Sequence, residues 1–378
     1  MTLSGPPVRP VDPTVTVVLP VHDAEQFVED AVNSIRTSTY ENWRCIVIDD
    51  GSTDATLARA RAAAVGDPRF VFVVQPNGGH IAAINRAAAE ITRDVGGDLV
   101  ALLDGDDVFL PDKLAVAVGV ARARPTAGLV THRMYVADEH LRIVGVAPLA
   151  SRLLDGDLRR RPNSLTKGES RLGVTSGMVL RRDVFDRIFP TDPAISRFPD
   201  ELVRRIAPLV AEVASCERPL GIRRIHGRNQ SDDARGELGS YLQRSLASYR
   251  LIAREQGRHA RDLAIELPGD DVDLDLMAAL LAHLDRSDDA RRWRSRVTTL
   301  PGFAELGPAR SAFWRCLLWL PPRLATSMAR QLFGASNATL LLNRMALLRL
   351  RRAGAVPATP PRPELSWRAL VRMVWAGA

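Results

Sequence analysis

The stretch Arg44–Asp54, with the sequence RCIVIDDGSTD, decides the fold, because an apolar run passes there directly into acids and turn-forming residues. Its first part, Arg44–Ile48, is short and rich in β-branched residues, which is typical of a buried strand. The Ala-rich segment Asp54–Val65 that follows predicts a helix, and Ser52 or Thr53 can cap its first turn. A strand joined to a helix by so short a link indicates a mostly parallel sheet covered by helices.

The same strand-and-helix unit recurs on both sides of this stretch. Further strands are expected at Val15–Leu19, Phe70–Val74 and Asp98–Leu103. Further helices are expected at Ala24–Arg36, at Ile81–Thr92 and from Pro111 to Arg122. We therefore predict the α/β fold class, with a Rossmann-like, mostly parallel sheet sandwiched by helices. Ligands of such sheets bind beyond the carboxyl ends of the strands, where two acidic clusters of this chain fall.

The pattern changes after Arg133 and divides the chain into regions. A hairpin is expected at Met134–Val146, strands at Gly173–Leu180 and Pro219–Ile225, and helices at Arg182–Ile188 and Glu201–Val210. From Gly239 to Arg296 the sequence is helical throughout. We predict a disordered N-terminus at 1–14, an α/β domain at 15–235, a helical accessory region at 236–300 and a basic amphipathic helical tail at 301–378.

The composition is that of an ordinary folded protein. The chain has 378 residues, of which 46% are hydrophobic and 25% charged, and this excludes collagen-like, disulfide-rich and globally disordered classes. Its three cysteines are far apart, so they predict neither a zinc site nor a disulfide framework and favour a reducing compartment. The segment Met1–Thr14 is Pro-rich and lacks the apolar centre of a secretory signal, so a cytoplasmic location is expected.

The net charge of +7 belongs to the C-terminal tail. Residues 301–378 hold 11 Arg and two Glu, whereas the rest of the chain is slightly acidic. The longest uncharged run, Gln331–Asn343, has 13 residues, fewer than the roughly 20 that a spanning helix needs. Helical spacing within Ala338–Leu350 gives an apolar face beside arginines, which favours peripheral attachment to an anionic membrane surface. The alternatives are a helical subdomain packed on the core or a partner-binding surface, and nucleic acid is not expected as a partner.

The acidic segment Asp104-Gly105-Asp106-Asp107 directly follows an expected strand. Residues two apart in an extended chain point the same way, so Asp104 and Asp106 can face one site, and Gly105 keeps the space between them open. Carboxylates crowded in this way repel one another unless a cation or solvent intervenes. Mg²⁺ or Mn²⁺ would relieve the repulsion and could hold a diphosphate. The alternative is a solvated acidic turn.

Two further polar clusters follow expected strands. Asp49 and Asp50 directly follow the strand expected at 44–48. A carboxylate at this position can accept a hydrogen bond from a nucleotide base or a ribose. A turn with a helix cap explains Gly51–Asp54, but it does not explain two adjacent acids. For Asn77–His80, a tight turn into a helix accounts for most of the pattern.

Taken in order, these motifs resemble the inverting glycosyltransferases of family two, which have the GT-A fold. The motifs are Val17–Ala24 (VVLPVHDA), Val47–Asp54 (VIDDGSTD), Asn77–Gly79 with Asn85, and Leu102–Asp107 (LLDGDD). The resemblance continues more weakly through Thr175–Gly177, Pro199-Asp200 and Arg224–Asn229, and it covers about residues 15–231. The domain predicted at 15–235 would then be the GT-A domain.

The resemblance implies a role for each matching residue. The nucleotide-sugar-binding residues would be Pro20, Val21, His22, Asp23, Asp49, Asp50, Asn77, Gly78, Gly79, Asn85, Asp104, Gly105 and Arg224. The metal ligands would be Asp104, Asp106, Asp107 and His226, and the acceptor would contact Thr175 and Ser176. Asp200 would be the catalytic base, with Glu201 as its competitor for that role. His22-Asp23 stands where Tyr-Asn is common in the family, so the contact with the base is expected to differ.

The resemblance also implies a reaction. A sugar, most simply UDP-linked, would move with inversion to a hydroxyl of a glycan or lipid-linked acceptor in cell-wall or polysaccharide biosynthesis. Mg²⁺ or Mn²⁺ would neutralise the departing diphosphate, and one carboxylate would take the proton of the hydroxyl. Two alternatives remain open. A nucleotidyltransferase would want a Gly-rich, basic first loop, which Leu19–Asp23 lacks, and a degenerate member of the family would serve as a binding or scaffold protein.

Overall fold

The computed structural model describes residues 12–93, 97–148, 152–160, 171–226, 238–267, 271–299, 303 and 308–333. The strands are β1 (Val15–Val21), β2 (Trp43–Asp49), β3 (Phe70–Val74), β4 (Leu99–Leu102), β5 (Val108–Phe109), β6 (Ala127–Ala137), β7 (Ile143–Ala147), β8 (Met178–Arg181) and β9 (Glu212–Arg224). The helices are α1 (Val28–Arg36), α2 (Thr56–Ala63), α3 (His80–Arg93), α4 (Lys113–Ala123), α5 (Arg182–Ile188), α6 (Pro199–Val210), α7 (Leu238–Asp262), α8 (Val272–Leu284), α9 (Ala290–Thr299), α10 (Pro308–Trp319) and α11 (Pro322–Phe333).

The described strands form one sheet, in the order β3-β2-β1-β4-β8-β6-β9-β5, and β7 pairs with β6. The first four strands in this order are parallel, as predicted. Beyond β4 the sheet is mixed, because β8 runs antiparallel to both β4 and β6, while β6 and β9 are parallel. The expected α/β sandwich is therefore confirmed, and its parallel character belongs to the first half of the domain. The change from a parallel to a mixed sheet begins at β8, which lies between β4 and β6 and runs opposite to both.

Both faces of the sheet are covered by helices. Alternate residues of a strand point to opposite faces, so neighbours such as Val17 and Val18 enter different cores. Val18 and Ile46 cluster with residues of α3, α5 and α6, including Phe185. Val17 and Val47 cluster with residues of α1, α2 and α4. Burial on both faces explains why these strands are apolar throughout instead of alternating with polar residues.

Helices α7 to α11 share a core of their own. It contains Leu242 from α7, Leu280 from α8, Val297 from α9, Trp314 from α10 and Ala325 from α11. Since α10 and α11 come from the region predicted as a separate tail, the boundary predicted at residue 300 crosses one packed cluster. The helix expected within 338–350 lies outside the described residues.

The two ends of the chain are described only in part. Of the N-terminal segment predicted as disordered, residues 12–14 lie against the domain, where Tyr40 Oη donates to Pro13 O at 2.6 Å and Thr14 N donates to Asp98 Oδ2 at 2.9 Å. Residues 1–11 lie outside the described part. In the segments that the structure describes, every helix is too short or too polar to cross a bilayer.

Candidate active site

The carboxyl ends of β1, β2 and β4 open onto one cavity with a volume of about 560 Å³. The starts of α3 and α6 and the end of β9 complete its wall. The predicted site residues that line it are Pro20, Val21, His22, Asp23, Asp50, Asn77, Gly79, Asp104, Gly105, Asp106, Asp107, Thr175, Asp200, Arg224 and His226. Acids from separate stretches of the chain therefore converge at the edge of the sheet where ligands are expected.

The predicted metal cluster lies in the turn between β4 and β5. One carboxylate oxygen from each of Asp104, Asp106 and Asp107 lies within 4.8 Å of the other two. The turn packs closely on the end of β1, because a Cβ at Gly105 would lie 3.0 Å from Val21 Cγ1 and 3.3 Å from Pro20 O. Glycine at this position lets the three acids sit directly against the first strand.

Asp106 is paired with a histidine from the opposite wall. His226 Nε2 lies 3.0 Å from Asp106 Oδ2, and the histidine ring packs at a tilt against Phe27 with 4.3 Å between the ring centroids. Burial alone would raise the pKa of Asp106, but the hydrogen bond and charge of His226 outweigh it and hold that pKa below its ordinary value. His226 thus keeps Asp106 in its ionised form, the form that a metal requires.

Asp107 is the most strongly perturbed acid of the cluster. It is 2% exposed, and its Oδ1 accepts a hydrogen bond from Arg224 N at 3.0 Å. Burial, together with the charges of Asp106 and Asp104, raises the pKa of Asp107 well above its ordinary value. The cluster therefore resists carrying three negative charges in this small space.

A buried lysine supports the acidic turn from within the fold. Lys113 of α4 is fully buried, and its Nζ donates to Ser176 O at 2.7 Å. Ser176 Oγ in turn accepts a hydrogen bond from Asp104 N at 3.0 Å. Burial lowers the pKa of Lys113 well below its ordinary value, against the opposing pull of Asp107 and Asp104. Ser176, predicted to contact the acceptor, is therefore a buried support of the acids.

The cluster fits a hard divalent cation. Its donors are carboxylate oxygens, which Mg²⁺ and Mn²⁺ prefer, and their mutual repulsion is what such an ion relieves. Asp104, Asp106 and Asp107 would hold the ion. His226 was predicted as a fourth ligand, but its hydrogen bond to Asp106 suits a group that orients a ligating carboxylate.

Asp50 is engaged with the loop before α3. Its Oδ1 accepts from Gln75 Nε2 at 2.7 Å and from Gly78 N at 2.9 Å, and its Oδ2 accepts from Gly79 N at 2.8 Å. Three of its roughly four acceptor positions are thus used within the protein. Asp50 therefore anchors the glycine loop at the cavity wall and retains little capacity to contact a nucleotide base.

The exposed rim beside Asp50 is formed by three predicted residues. His22 Nε2 lies 3.0 Å from Asn77 Nδ2, and both side chains are open to solvent. Asp23 has a positive φ of 43°, and its Oδ1 accepts from Thr53 N at 2.8 Å, which ties the ends of β1 and β2 together. The rim presents the imidazole of His22 and the amide of Asn77 where a nucleotide base can reach them.

Asp200 and Glu201, the two acids predicted to compete as the base, occupy different environments. Asp200 lines the cavity in the first turn of α6, where its carboxylate pairs with Arg204. Glu201 is 3% exposed and does not line the cavity; its Oε1 lies 2.6 Å from Arg205 Nε, and its Oε2 lies 3.1 Å from Arg204 Nη1. Of the two, Asp200 alone can reach a bound molecule.

Five predicted residues lie outside the cavity wall, and they are Asp49, Gly78, Asn85, Ser176 and Glu201. Asn85 shows why, because its side chain is committed to the backbone of Thr191, to which it donates at 2.8 Å and from which it accepts at 2.9 Å. Asp49 is buried at the end of β2, and a Cβ at Gly78 would lie 2.8 Å from Ala82 Cβ. These residues shape the wall from behind.

Nine residues of the cavity wall were not predicted as site residues, and they are Ala24, Phe27, His80, Ala83, Val174, Phe198, Pro199, Arg204 and Arg223. His80 Nε2 lies 3.3 Å from Asp104 Oδ1. The acidic cluster therefore has one histidine beside Asp104 and another, His226, beside Asp106. Helical spacing could have identified Arg204, which lies one turn after Asp200. The two phenylalanines carry no signal, since apolar residues that precede helices are common.

We expect Asp107→Asn to stabilise the metal-free protein at pH 8. The raised pKa of Asp107 means that its contribution to stability is present at low pH and is lost as the pH rises through that pKa. The neutral amide removes this loss and still offers an oxygen to Arg224 N. Mn²⁺ affinity should fall at least about tenfold, because a ligand is removed.

The measurement is thermal unfolding with and without MnCl₂. Asp186→Asn, at an exposed ion pair with Arg182 on α5, is the matched control and should behave like the wild type. A lower melting temperature for Asp107→Asn without metal, combined with a wild-type response to Mn²⁺, would show that the cluster is neither crowded nor metal-binding.

Comparison with known proteins finds a family match for the first part of the α/β domain. Residues 16–189 match the family model described as "Glycosyl transferase family 2". An uncharacterised glycosyltransferase of Nostoc sp. is 28% identical over 220 residues, which span 57% of this chain and 66% of the relative. Glycosyltransferase GlyA of Streptococcus pneumoniae is 34% identical over 97 residues, 26% of this chain and 13% of the relative. The chain thus matches only part of the length of each relative.

Two solved structures resemble this chain at low sequence identity. TarS of S. aureus in complex with UDP-GlcNAc has a TM-score of 0.49 at 16% identity, with 90% of this chain and 92% of that chain covered. The mannosyltransferase PcManGT of Pyrobaculum calidifontis, in complex with GDP-Man and Mn²⁺, has a TM-score of 0.43 at 18% identity, covering 92% and 91%. Residues 16–189, which include the glycine loop and the acidic cluster, thus match glycosyltransferase family 2, and they lie within the α/β sandwich described above.

Proposed function

We propose that this protein is a metal-dependent, inverting glycosyltransferase, which moves a sugar from a nucleotide donor to a hydroxyl of a glycan or lipid-linked acceptor. One observation carries the proposal. The acidic cluster of Asp104, Asp106 and Asp107 lines the same cavity as Asp200, although the two are distant in the sequence. A metal-binding cluster facing a single carboxylate is the arrangement that this reaction requires.

The donor would bind with its diphosphate near the acidic cluster and its base toward the rim. Mg²⁺ or Mn²⁺, held by Asp104, Asp106 and Asp107, would neutralise the charge that develops on the departing diphosphate. The loop anchored by Asp50 brings Asn77 and Gly79 to the wall between these two positions. A UDP-linked sugar is the donor that we propose, with His22 and Asn77 beside its base.

Asp200 would act as the general base. Besides the metal cluster, the acids that line the cavity are Asp23, Asp50 and Asp200. Asp23 is bonded to Thr53 and Asp50 to the glycine loop, so both serve the framework. Asp200 lies in the first turn of its helix, where Arg204 fixes the position of its carboxylate. It would take the proton of the acceptor hydroxyl as that oxygen attacks the sugar.

The number of acids in the cavity supports an inverting mechanism. A retaining mechanism through a covalent intermediate needs a nucleophilic carboxylate in addition to the acid or base. Among the described residues of the cavity wall, the acids other than Asp200 belong to the metal cluster or are bonded within the rim and loop. A single attack from the face opposite the diphosphate therefore fits these residues best.

A panel of nucleotides and nucleotide sugars tests the donor and metal assignments together. With Mn²⁺ or Mg²⁺ present, UDP and a UDP-sugar should raise the melting temperature more than GDP does. Asp106→Ala should abolish the metal-dependent part of that shift, because it removes a central carboxylate of the cluster. Asp112→Ala, at a surface ion pair with Arg218, serves as the control. A shift that is unaffected by Asp106→Ala or by a chelator would remove the metal from the proposal.

Asp200→Asn should lower kcat for transfer by about 10²- to 10⁴-fold, the usual contribution of a general base. Donor binding should stay within about twofold, since the amide keeps the size of the side chain. Asp183→Asn, an exposed first-turn acid of α5, should leave both quantities unchanged. If Asp200→Asn transfers sugar at the wild-type rate, another group must be the base.

We also propose that the protein works on the cytoplasmic face of a membrane, in cell-wall or polysaccharide biosynthesis. The part of the basic tail that the structure describes exposes two large apolar side chains near the α10–α11 turn, Trp319 at 73% and Leu324 at 57%. The Arg294 guanidinium lies 5.2 Å from the Trp319 ring centroid. An exposed indole beside arginine suits the headgroup region of an anionic bilayer.

Full-length protein should co-sediment with vesicles that contain phosphatidylglycerol, and it should bind less at high salt. Vesicles of phosphatidylcholine alone are the control for non-specific adhesion. Trp319→Ser should reduce binding, whereas Cys316→Ser, an exposed change on the same helix, should not. Equal sedimentation with neutral and anionic vesicles would exclude the electrostatic attachment.

A further inference from the structure

Helix α6, which carries Asp200, is joined to the helical region by a buried chain of charges. Arg205, which is 2% exposed, lies at its centre. Its Nε lies 2.6 Å from Glu201 Oε1, its Nη1 pairs with Asp271 Oδ2, and the same Nη1 lies 3.5 Å from Gln256 Oε1. One guanidinium therefore connects the base-bearing helix with α7 and with the start of α8.

The end of this charge network at Asp271 and Gln256 is also held in place by the fold. Asp271 caps α8, because its Oδ1 accepts a hydrogen bond from Leu274 N at 3.1 Å. Gln256 is 2% exposed on the inner side of α7. A shift of α7 or α8 would consequently be transmitted to Arg205 and from there to Glu201.

Charge balance links Arg205 to Asp200. Glu201 is buried between two arginines, and Arg204 is shared between Glu201 and Asp200. Burial alone would raise the pKa of Glu201, but the charges of Arg205 and Arg204 outweigh it and hold that pKa below its ordinary value. Without Arg205, two carboxylates would compete for the Arg204 guanidinium. Arg204 would then be drawn toward the more buried Glu201, and Asp200 would lose the group that fixes it.

A second contact supports the turn that precedes the base. Phe198 lines the cavity with a positive φ of 65°, directly before Pro199 and Asp200. A side chain of this size keeps such a conformation only where its surroundings hold it. Tyr249 of α7 does so, since its ring packs against that of Phe198 at a tilt, with 5.0 Å between the centroids. Burial, followed by the charges of Glu201 and Asp200, raises the pKa of Tyr249 well above its ordinary value.

We propose that Arg205 and Tyr249 are positioning residues for Asp200, and that the helical region thereby forms part of the catalytic unit. Arg205 acts through Glu201 and Arg204, and Tyr249 acts through Phe198. This inference rests on the proposed function, in which Asp200 is the base. Donor and metal binding would not depend on these two residues, because neither Arg205 nor Tyr249 lines the cavity.

Three substitutions test the proposal in the full chain. Arg205→Met removes the charge and retains the length, Asp271→Asn retains the capping oxygen, and Tyr249→Leu removes the stacked ring. Each should lower kcat by about 10- to 100-fold, the cost of a base displaced by about 1 Å, with KM for the donor and Mn²⁺–UDP affinity unchanged. Arg205→Lys should retain part of the activity, since it keeps the charge without the planar fork. Arg258→Gln, at an exposed pair with Glu255 on α7, is the control.

Hydrogen–deuterium exchange gives a readout that does not depend on turnover. The amides of 197–204 should exchange faster in Arg205→Met and Tyr249→Leu than in the wild type or in Arg258→Gln, while those of 104–107 should not change. Wild-type exchange at 197–204, or an unchanged kcat despite a lower melting temperature, would overturn the inference. If the wild type transfers no sugar from any donor, the proposed function fails, and the exchange data still decide whether the helical region holds this turn.

Discussion

The repulsion among three carboxylates at the end of β4 is the constraint on which the site depends. Asp104, Asp106 and Asp107 have oxygens within 4.8 Å of one another, and the fold surrounds them with compensating groups. His226 bonds to Asp106, and the backbone of Arg224 donates to Asp107. These contacts come from the end of β9, the last strand of the domain in the sequence, and from the residues directly after it. The far end of the domain therefore completes the cavity around the acidic turn.

The two halves of the sheet contribute different parts of this cavity. The parallel half supplies the rim, the glycine loop and the acidic turn, all at the carboxyl ends of its strands. The mixed half supplies the wall that carries His226 and Arg224. Arg224 itself is held by Asp30 at 2.7 Å and stacks over Phe27, so α1 is braced against β9. Helix α6 closes the cavity with the carboxylate proposed as the base.

Much of the first half could be predicted from the sequence, because its signals are local. Short apolar runs and turn residues located β1 to β4, and the paired acids pointed to the cavity. The mixed half was harder, since the antiparallel insertion of β8 depends on contacts distant in sequence. Asn85 and Glu201 matched motifs yet proved to be committed to Thr191 and to the arginines of α6. Lys113 could not be predicted, because a lysine in an apolar helix normally points to solvent.

The three hydrogen bonds that Asp50 accepts have a practical consequence for anyone who wishes to redirect this protein to another nucleotide. A residue that holds three backbone and side-chain donors cannot be exchanged without loosening the loop that it anchors. The neighbouring imidazole of His22 and amide of Asn77 carry no comparable duty in the framework. Engineering of selectivity would therefore begin with libraries at those two outer positions, where variants can still fold.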